Sequence, residues 1–204
     1  MLRYWTAGES HGKTLLAVVD GFPAGIEINT DSIDYDLRMR QGGYGRGGRQ
    51  KIETDKVELL TGVWKNVSMG SPVTLQVINR DYKLEKLKEL ERPRPGHGDL
   101  TGAVKFLGSI RNVLERSSAR ETAVRVAAGA LAKQILAEFQ IECIGFVDEL
   151  GGQQIHRQDG DIQQWRTLRE QSEVYSLNPE QDSEIKKLID QAEEQGDTLG
   201  GILE

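Results

Sequence analysis

The chain has 204 residues, 37% hydrophobic and 28% charged, with a mean hydropathy of −0.50. That is enough for one domain with a real core, and no apolar run approaches the roughly 20 residues that cross a bilayer, which excludes a helical membrane protein. Met1-Leu2-Arg3-Tyr4-Trp5 has no basic leader and cleavage site, and the single Cys143 cannot form an internal disulfide; both point to the reducing cytoplasm.

The net charge of −6 hides an asymmetry. Residues 1–133 hold 21 Lys/Arg against 16 Asp/Glu, a balance of +5, whereas residues 134–204 hold 5 against 16, a balance of −11. The basic groups lie among the glycines. Local positive charge there suits a small anion or a nucleic-acid backbone, and the acidic remainder argues against a general polyanion surface.

In chain order, β-branched runs predict strands at Leu15–Asp20, Val57–Val63, Val73–Ile78 and Ile141–Val147. Thr30 or Asp31 caps an expected short helix that carries Ile33, Leu37, Arg38 and Arg40 and ends at Gly42-Gly43. Ser118-Ala119-Arg120-Glu121 has capping-box spacing and opens an expected long core helix through Ala123, Ala127, Ala130, Leu131, Ile135 and Phe139. Residues 151–181, rich in Gln and charge, read as a surface excursion. A further helix is expected from Asp182 or Ser183 to Ala192, stopped by Gly196, and residues 198–204 read as the opening of another strand.

Four motifs could carry chemistry. Ala7-Gly8-Glu9-Ser10-His11-Gly12-Lys13-Thr14 aligns to a relaxed phosphate loop. Such a loop must open a helix whose N–H groups face phosphate. The next residues, Leu15–Asp20, read as a strand, so a nucleotide-binding role is the weaker reading. His11 sits in a glycine-flanked turn and could transfer protons near neutral pH, although a lone histidine in a turn is as ordinary on a surface. His97 repeats the arrangement in Arg92-Pro93-Arg94-Pro95-Gly96-His97-Gly98-Asp99, with Asp99 placed to fix its tautomer. His156 falls in the polar excursion and reads as structural.

Arg38, Arg40, Arg46 and Arg49 are interleaved with glycines over twelve residues. Glycine permits close backbone approach, and arginine offers a planar fork for phosphate or carboxylate. The competing reading is a flexible RNA-binding Arg/Gly tract. Arg116-Ser117-Ser118 leads into the expected helix, where hydroxyls, a guanidinium and free N–H groups would suit an anion. Three histidines and one cysteine without paired spacing predict no metal site.

Taken together, Ala7–Gly12, the Arg40–Arg49 loop, Arg94–Asp99 and Arg111-Asn112-Val113-Leu114-Glu115-Arg116-Ser117-Ser118-Ala119-Arg120-Glu121-Thr122 resemble, in order and spacing, the signature segments of chorismate synthases. Gly98 stands where many members have alanine, and the segment from Asn79 to Arg92 is short.

The resemblance implies an α+β fold with antiparallel sheets packed on a helical core, as a β-α-β sandwich, in one domain over residues 1–204. It implies a homotetrameric carbon–oxygen lyase of the shikimate pathway. Its reaction would be 1,4-anti elimination of phosphate from 5-enolpyruvylshikimate 3-phosphate, with reduced FMN required but not consumed. By the same resemblance His11 protonates the departing phosphate and His97 protonates reduced flavin. Ser10, Arg40, Arg46, Arg49 and Arg120 bind substrate. Arg116, Ser117 and Ser118 contact FMN, and Arg40 and Arg46 meet NADPH in members that reduce their own flavin. Family members continue well beyond a segment like Gly200-Gly201-Ile202, so this chain is expected to be an N-terminal fragment, inactive alone, lacking further flavin contacts and an acidic catalytic residue. No nucleic-acid or membrane partner is expected.

Overall fold

The computed structural model describes residues 1–48 and 52–204. It divides into two compact units, Met1–Arg40 with Arg49–Gln140, and Gln41–Gly48 with Ile141–Glu204.

In the first unit β1 (Arg3–Gly8) and β2 (Thr14–Asp20) form an antiparallel hairpin, with Arg3 opposite Asp20 and Gly8 opposite Leu15. With β4 (Val57–Thr61) and β7 (Val73–Ile78) they make a four-stranded sheet in the order β1-β2-β7-β4. A second small antiparallel sheet is built from β3 (Ala24–Glu27), β5 (Val63–Trp64) and β6 (Val67–Met69). Strand alternation places Leu15, Ala17 and Val19 of β2 and Val73, Leu75 and Val77 of β7 on the buried face. Against that face pack Ala123, Val124, Ala127, Ala130 and Leu131 of α4 (Thr122–Ala137) and Ile33 and Leu37 of α1 (Thr30–Gln41). The alanines of α4 let helix and sheet approach closely, so antiparallel sheet on helix is the architecture expected from the sequence.

Three local expectations are corrected. The run Val57–Val63 is not one strand: Gly62 has φ +79°, and a Cβ there would lie 2.6 Å from the Pro72 carbonyl oxygen, so the chain breaks between β4 and β5. The capping box at Ser118 does not form. The Ser118 hydroxyl accepts the Arg120 N–H across a 3₁₀ turn at Ala119–Glu121, and α4 begins only at Thr122. Glu121 is turned instead to Thr6 and Arg125. The cap of α1 is Asn29, whose Oδ1 accepts the Ser32 N–H, while Gln134 of α4 bonds both main-chain groups of Asn29.

Among the described residues of this unit, two helices were not expected from the sequence: α2 (Asp99–Phe106) and α3 (Ile110–Ser117), the latter capped by Ser109.

In the second unit β8 (Val147–Leu150) pairs with β9 (Gln153–Gln154) and with β10 (Gly201–Leu203). The strand expected at Ile141–Val147 therefore begins only at its last residue. The supposed surface excursion is ordered structure. It contains α5 (Ile162–Gln171), started by a capping box between Asp161 and Gln164, and buried Ile155, Val174 and Leu177. Asp182, at the start of α6 (Asp182–Gln195), accepts from the Ser172 hydroxyl and the Glu173 N–H. Gly196 ends α6 in the left-handed region, and the terminal strand forms, both as expected. Among the described residues no helix is long and apolar enough to cross a membrane.

Candidate active site

The site grows from the β1–β2 turn. Gly8 ends β1 at φ +105°, where a Cβ would collide with the Thr14 carbonyl oxygen; only glycine reverses the chain this tightly. The turn leads into β2, not a helix, so its N–H groups are not arrayed as in a phosphate loop, and the nucleotide-binding reading fails on that ground.

Asn79, buried just past β7, fastens the turn. Its side-chain amide donates to the carbonyls of Glu9, Ser10 and Gly12, and its N–H donates to the Lys13 carbonyl. The His11 carbonyl accepts from the N–H groups of Lys83 and Leu84. With its backbone fixed on both sides, His11 presents its ring to Glu115 of α3. The Glu115 oxygens lie 2.9 and 3.1 Å from Nδ1, and one of them also accepts the His11 N–H at 2.9 Å. Glu115 is 1% exposed and has Arg111, one helical turn earlier, at 3.4 Å. The other ring nitrogen, Nε2, is 3.7 Å from Asp81, which itself pairs with Lys83.

His11 lines a cleft of about 920 Å³ together with Glu9, Lys13, Tyr82, Lys83 and Lys86. The lining carries Lys13, Lys83 and Lys86 against Glu9 and Glu85, a small cationic excess that suits an anion in the cleft that holds His11.

Behind the turn the Ser10 hydroxyl donates to that of Ser118 at 3.0 Å. Arg120 is buried. Its Nε donates to Asn79 at 2.8 Å and its Nη1 to Asp55 at 2.6 Å, with Glu53 at 3.7 Å from Nη2. Asp55 accepts also from Arg40 at 3.3 Å, and Arg40 donates further to Thr122 and to the Ala119 carbonyl. Ser10, His11, Arg40, Ser118 and Arg120, expected from five sequence positions, thus belong to one connected network.

Other expected residues lie elsewhere. His97 is exposed on the loop before α2, its Nδ1 2.9 Å from the Pro95 carbonyl oxygen. Asp99 does not fix its tautomer. That carboxylate accepts from Arg94 through both side-chain and main-chain N–H groups, and these bonds hold its pKa down at about 2.

Arg116 donates to the Thr6 carbonyl and hydroxyl and pairs with Glu121, while Ser117 is exposed. Burial works against the charged form of Glu121, but hydrogen bonds from Arg125 and Thr6 outweigh it and lower its pKa. Arg46 belongs to the second unit and donates to the Gly42 carbonyl. Its neighbour Tyr44 is tied down by Asp190 and by the Glu173 carbonyl, and the bond to Asp190 raises the phenol pKa. The Gly-rich segment is therefore anchored at its centre, unlike a free Arg/Gly tract. Arg49 lies outside the described residues.

Sequence reasoning gave no role to Asn79, Asp81, Glu115, Glu53 or Asp55. Only Glu115 left a trace, at helical spacing from Arg111. The others are ordinary polar residues beside strands until the fold collects them.

A sequence model of the chorismate synthase family matches residues 2–204. Over the whole chain, 49% of residues are identical to "Chorismate synthase" of Geobacter sulfurreducens and 47% to that of Streptococcus thermophilus, the matches covering 55% and 56% of those proteins. A solved structure described as "Crystal Structure of Chorismate Synthase" superposes on 99% of the chain and 56% of its own, with a TM-score of 0.80 at 37% identity. The chain thus spans a little over half the length of these relatives.

Proposed function

Because the chain belongs to the chorismate synthase family, we propose that the full-length protein eliminates phosphate in a 1,4-anti sense from 5-enolpyruvylshikimate 3-phosphate, giving chorismate. The observation that carries this is His11, seated between Glu115 and Asp81 at a lysine-lined cleft. Protonated His11 donates to the phosphate oxygen as its bond to carbon breaks, so the leaving group departs at lower charge. Lys13, Lys83 and Lys86 draw the anionic substrate to the cleft.

Reduced FMN, when bound, supplies electron density to the breaking bond without net oxidation. Ser117 is exposed and the Arg116 guanidinium partly exposed; a hydroxyl and a guanidinium are donors that suit an anionic edge of that cofactor, and Ser118 follows them in the chain. His97, an exposed imidazole on the loop before α2, would supply a proton at that cofactor when it is bound.

Ser10, Arg40 and Arg120 enter as substrate-binding residues through the family resemblance; Ser10 and Arg120 are buried, and both guanidiniums are paired with Asp55. Arg46 and Arg49 enter through the family resemblance alone, as does NADPH as reductant, met by Arg40 and Arg46. A homotetramer in the cytoplasm is part of the same proposal, and so is dependence of turnover on residues outside the 204 present.

The test is a phosphate-release and chorismate-absorbance assay on the full-length protein with photoreduced FMN. His11→Ala is expected to lose turnover, on the order of 10²–10⁴-fold for a general acid. Normal turnover in that variant, or no phosphate release by the unaltered protein, would sink the reading. The 204-residue chain in the same assay is expected to be inactive.

A further inference from the structure

We infer that Asn79 is a positioning residue for the elimination, one that passes the fixed placement of the buried Arg120–Asp55 ion pair to the turn that carries His11. This rests on the reading of His11 as the acid, and goes beyond it by naming the group that sets where that acid stands.

Four carbonyls flanking His11 converge on Asn79. Its side-chain amide nitrogen lies 3.2 Å from the Glu9 carbonyl oxygen, 3.2 Å from that of Ser10 and 2.8 Å from that of Gly12, and its main-chain N–H donates to the Lys13 carbonyl at 3.0 Å. Between them, His11 turns its own carbonyl to Lys83 and Leu84. The peptide units on both sides of His11 are therefore pinned, and neither rotates without breaking a bond to Asn79.

The orientation of the amide follows from its other neighbour. The Arg120 Nε–H, 2.8 Å from Oδ1, can only donate, so Oδ1 faces the guanidinium and the NH₂ group faces the carbonyls. Arg120 is held in turn by Asp55 at 2.6 Å. Asn79 is 1% exposed and Arg120 5%, so a bond lost here is not replaced by bulk water. Asparagine offers an acceptor to the cation and donors to the turn at once. Aspartate would keep the first and lose the second, setting a carboxylate oxygen against three carbonyl oxygens.

Misplacing a reacting group by about 1 Å costs on the order of 10²-fold in rate. The ammonium groups of Lys13, Lys83 and Lys86 that attract substrate to the cleft are not partners of Asn79, so the effect falls on kcat and not on KM.

The experiment is a double-mutant cycle in the full-length protein, with Asn79→Asp, His11→Ala and the two combined, followed by phosphate release with photoreduced FMN. Asn79→Asp is expected to lower kcat about 10²-fold with KM within about twofold. In the His11→Ala background the same substitution should lower the residual rate by less than about threefold, because a residue that acts through His11 has little left to act on.

A full further loss of about 10²-fold in that background overturns the inference, as does a raised KM with normal kcat, or normal kcat in Asn79→Asp whose circular dichroism spectrum shows it folded. Should Asn79→Asp not fold, Asn79→Ser removes the amide without opposing a carboxylate to the carbonyls, and the same cycle carries the same expectations. Normal turnover in His11→Ala overturns the acid reading and this inference with it. Lost turnover in His11→Ala beside normal turnover in Asn79→Asp overturns this inference alone.

Discussion

His11 and Glu115 stand 104 residues apart in sequence, and the ring nitrogen of one meets the carboxylate of the other at 2.9 Å. One residue lies on a hairpin turn and the other on a helix, so the pair couples the chemistry of the turn to the placement of α3. Substitutions that loosen either element should therefore reach the site. His11→Asn keeps a polar group near Glu115 but has no titrating nitrogen. In the full-length protein we expect kcat to fall on the order of 10²–10⁴-fold, while the circular dichroism spectrum and melting temperature stay near those of the unaltered protein.

Arg120 is a support for the turn as well as a charge near it. Its guanidinium is buried between Asn79 and Asp55, and removing it leaves a buried carboxylate with part of its pairing gone. Arg120→Ala is expected to destabilise by about 3–5 kcal/mol, as breaking a buried ion pair does, and chemical denaturation measures it. A loss under about 1 kcal/mol would show that the other partners of Asp55, Arg40 among them, satisfy it.

Gly8→Ala places a Cβ against the Thr14 carbonyl oxygen at a backbone angle that L-residues avoid. The expected cost is about 1–3 kcal/mol of stability, read from thermal unfolding. Because the turn carries His11, kcat should fall further than this loss of folded protein accounts for.

Asp99 gives a pH dependence with a defined sign. Its pKa is lowered from 3.8 to about 2 by side-chain and then main-chain hydrogen bonds from Arg94. A depressed carboxylate stabilises the fold above its unfolded pKa and loses that contribution as pH falls toward the folded value. The stability gap between the unaltered protein and Asp99→Asn is thus expected to be constant above about pH 5 and to close between about pH 4 and pH 2. A gap that widens on acidification would contradict the assignment.

The hairpin turn predicts no affinity for ATP, since its N–H groups do not open a helix. Titration calorimetry with Mg-ATP should give no heat of binding, and Lys13→Ala should leave that blank unchanged. Binding lost on that substitution would revive the phosphate-loop reading.

The sequence by itself determined the features that depend on neighbours in the chain. Runs rich in β-branched residues marked β2 and β7, small and apolar residues at helical spacing marked α4, and Gly196 marked the end of α6. Its motif blocks also carried the family, because their order and spacing survive without any coordinates. Tertiary structure decided the rest. Ser118 and Glu121 had capping-box spacing, yet Thr6 and Arg125 claimed Glu121 and moved the helix start to Thr122. Asp99 seemed meant for His97 two residues away, but Arg94 offered it two charged donors.

The partners of His11 were out of reach for the same reason. Glu115 lies on α3 and Asp81 in the segment after β7, where Asn79 fastens the turn that carries His11, and no local spacing encodes their meeting. It is the burial of a shared apolar core that brings these elements together, and the cost of leaving a buried polar group unpaired then selects which ones bond.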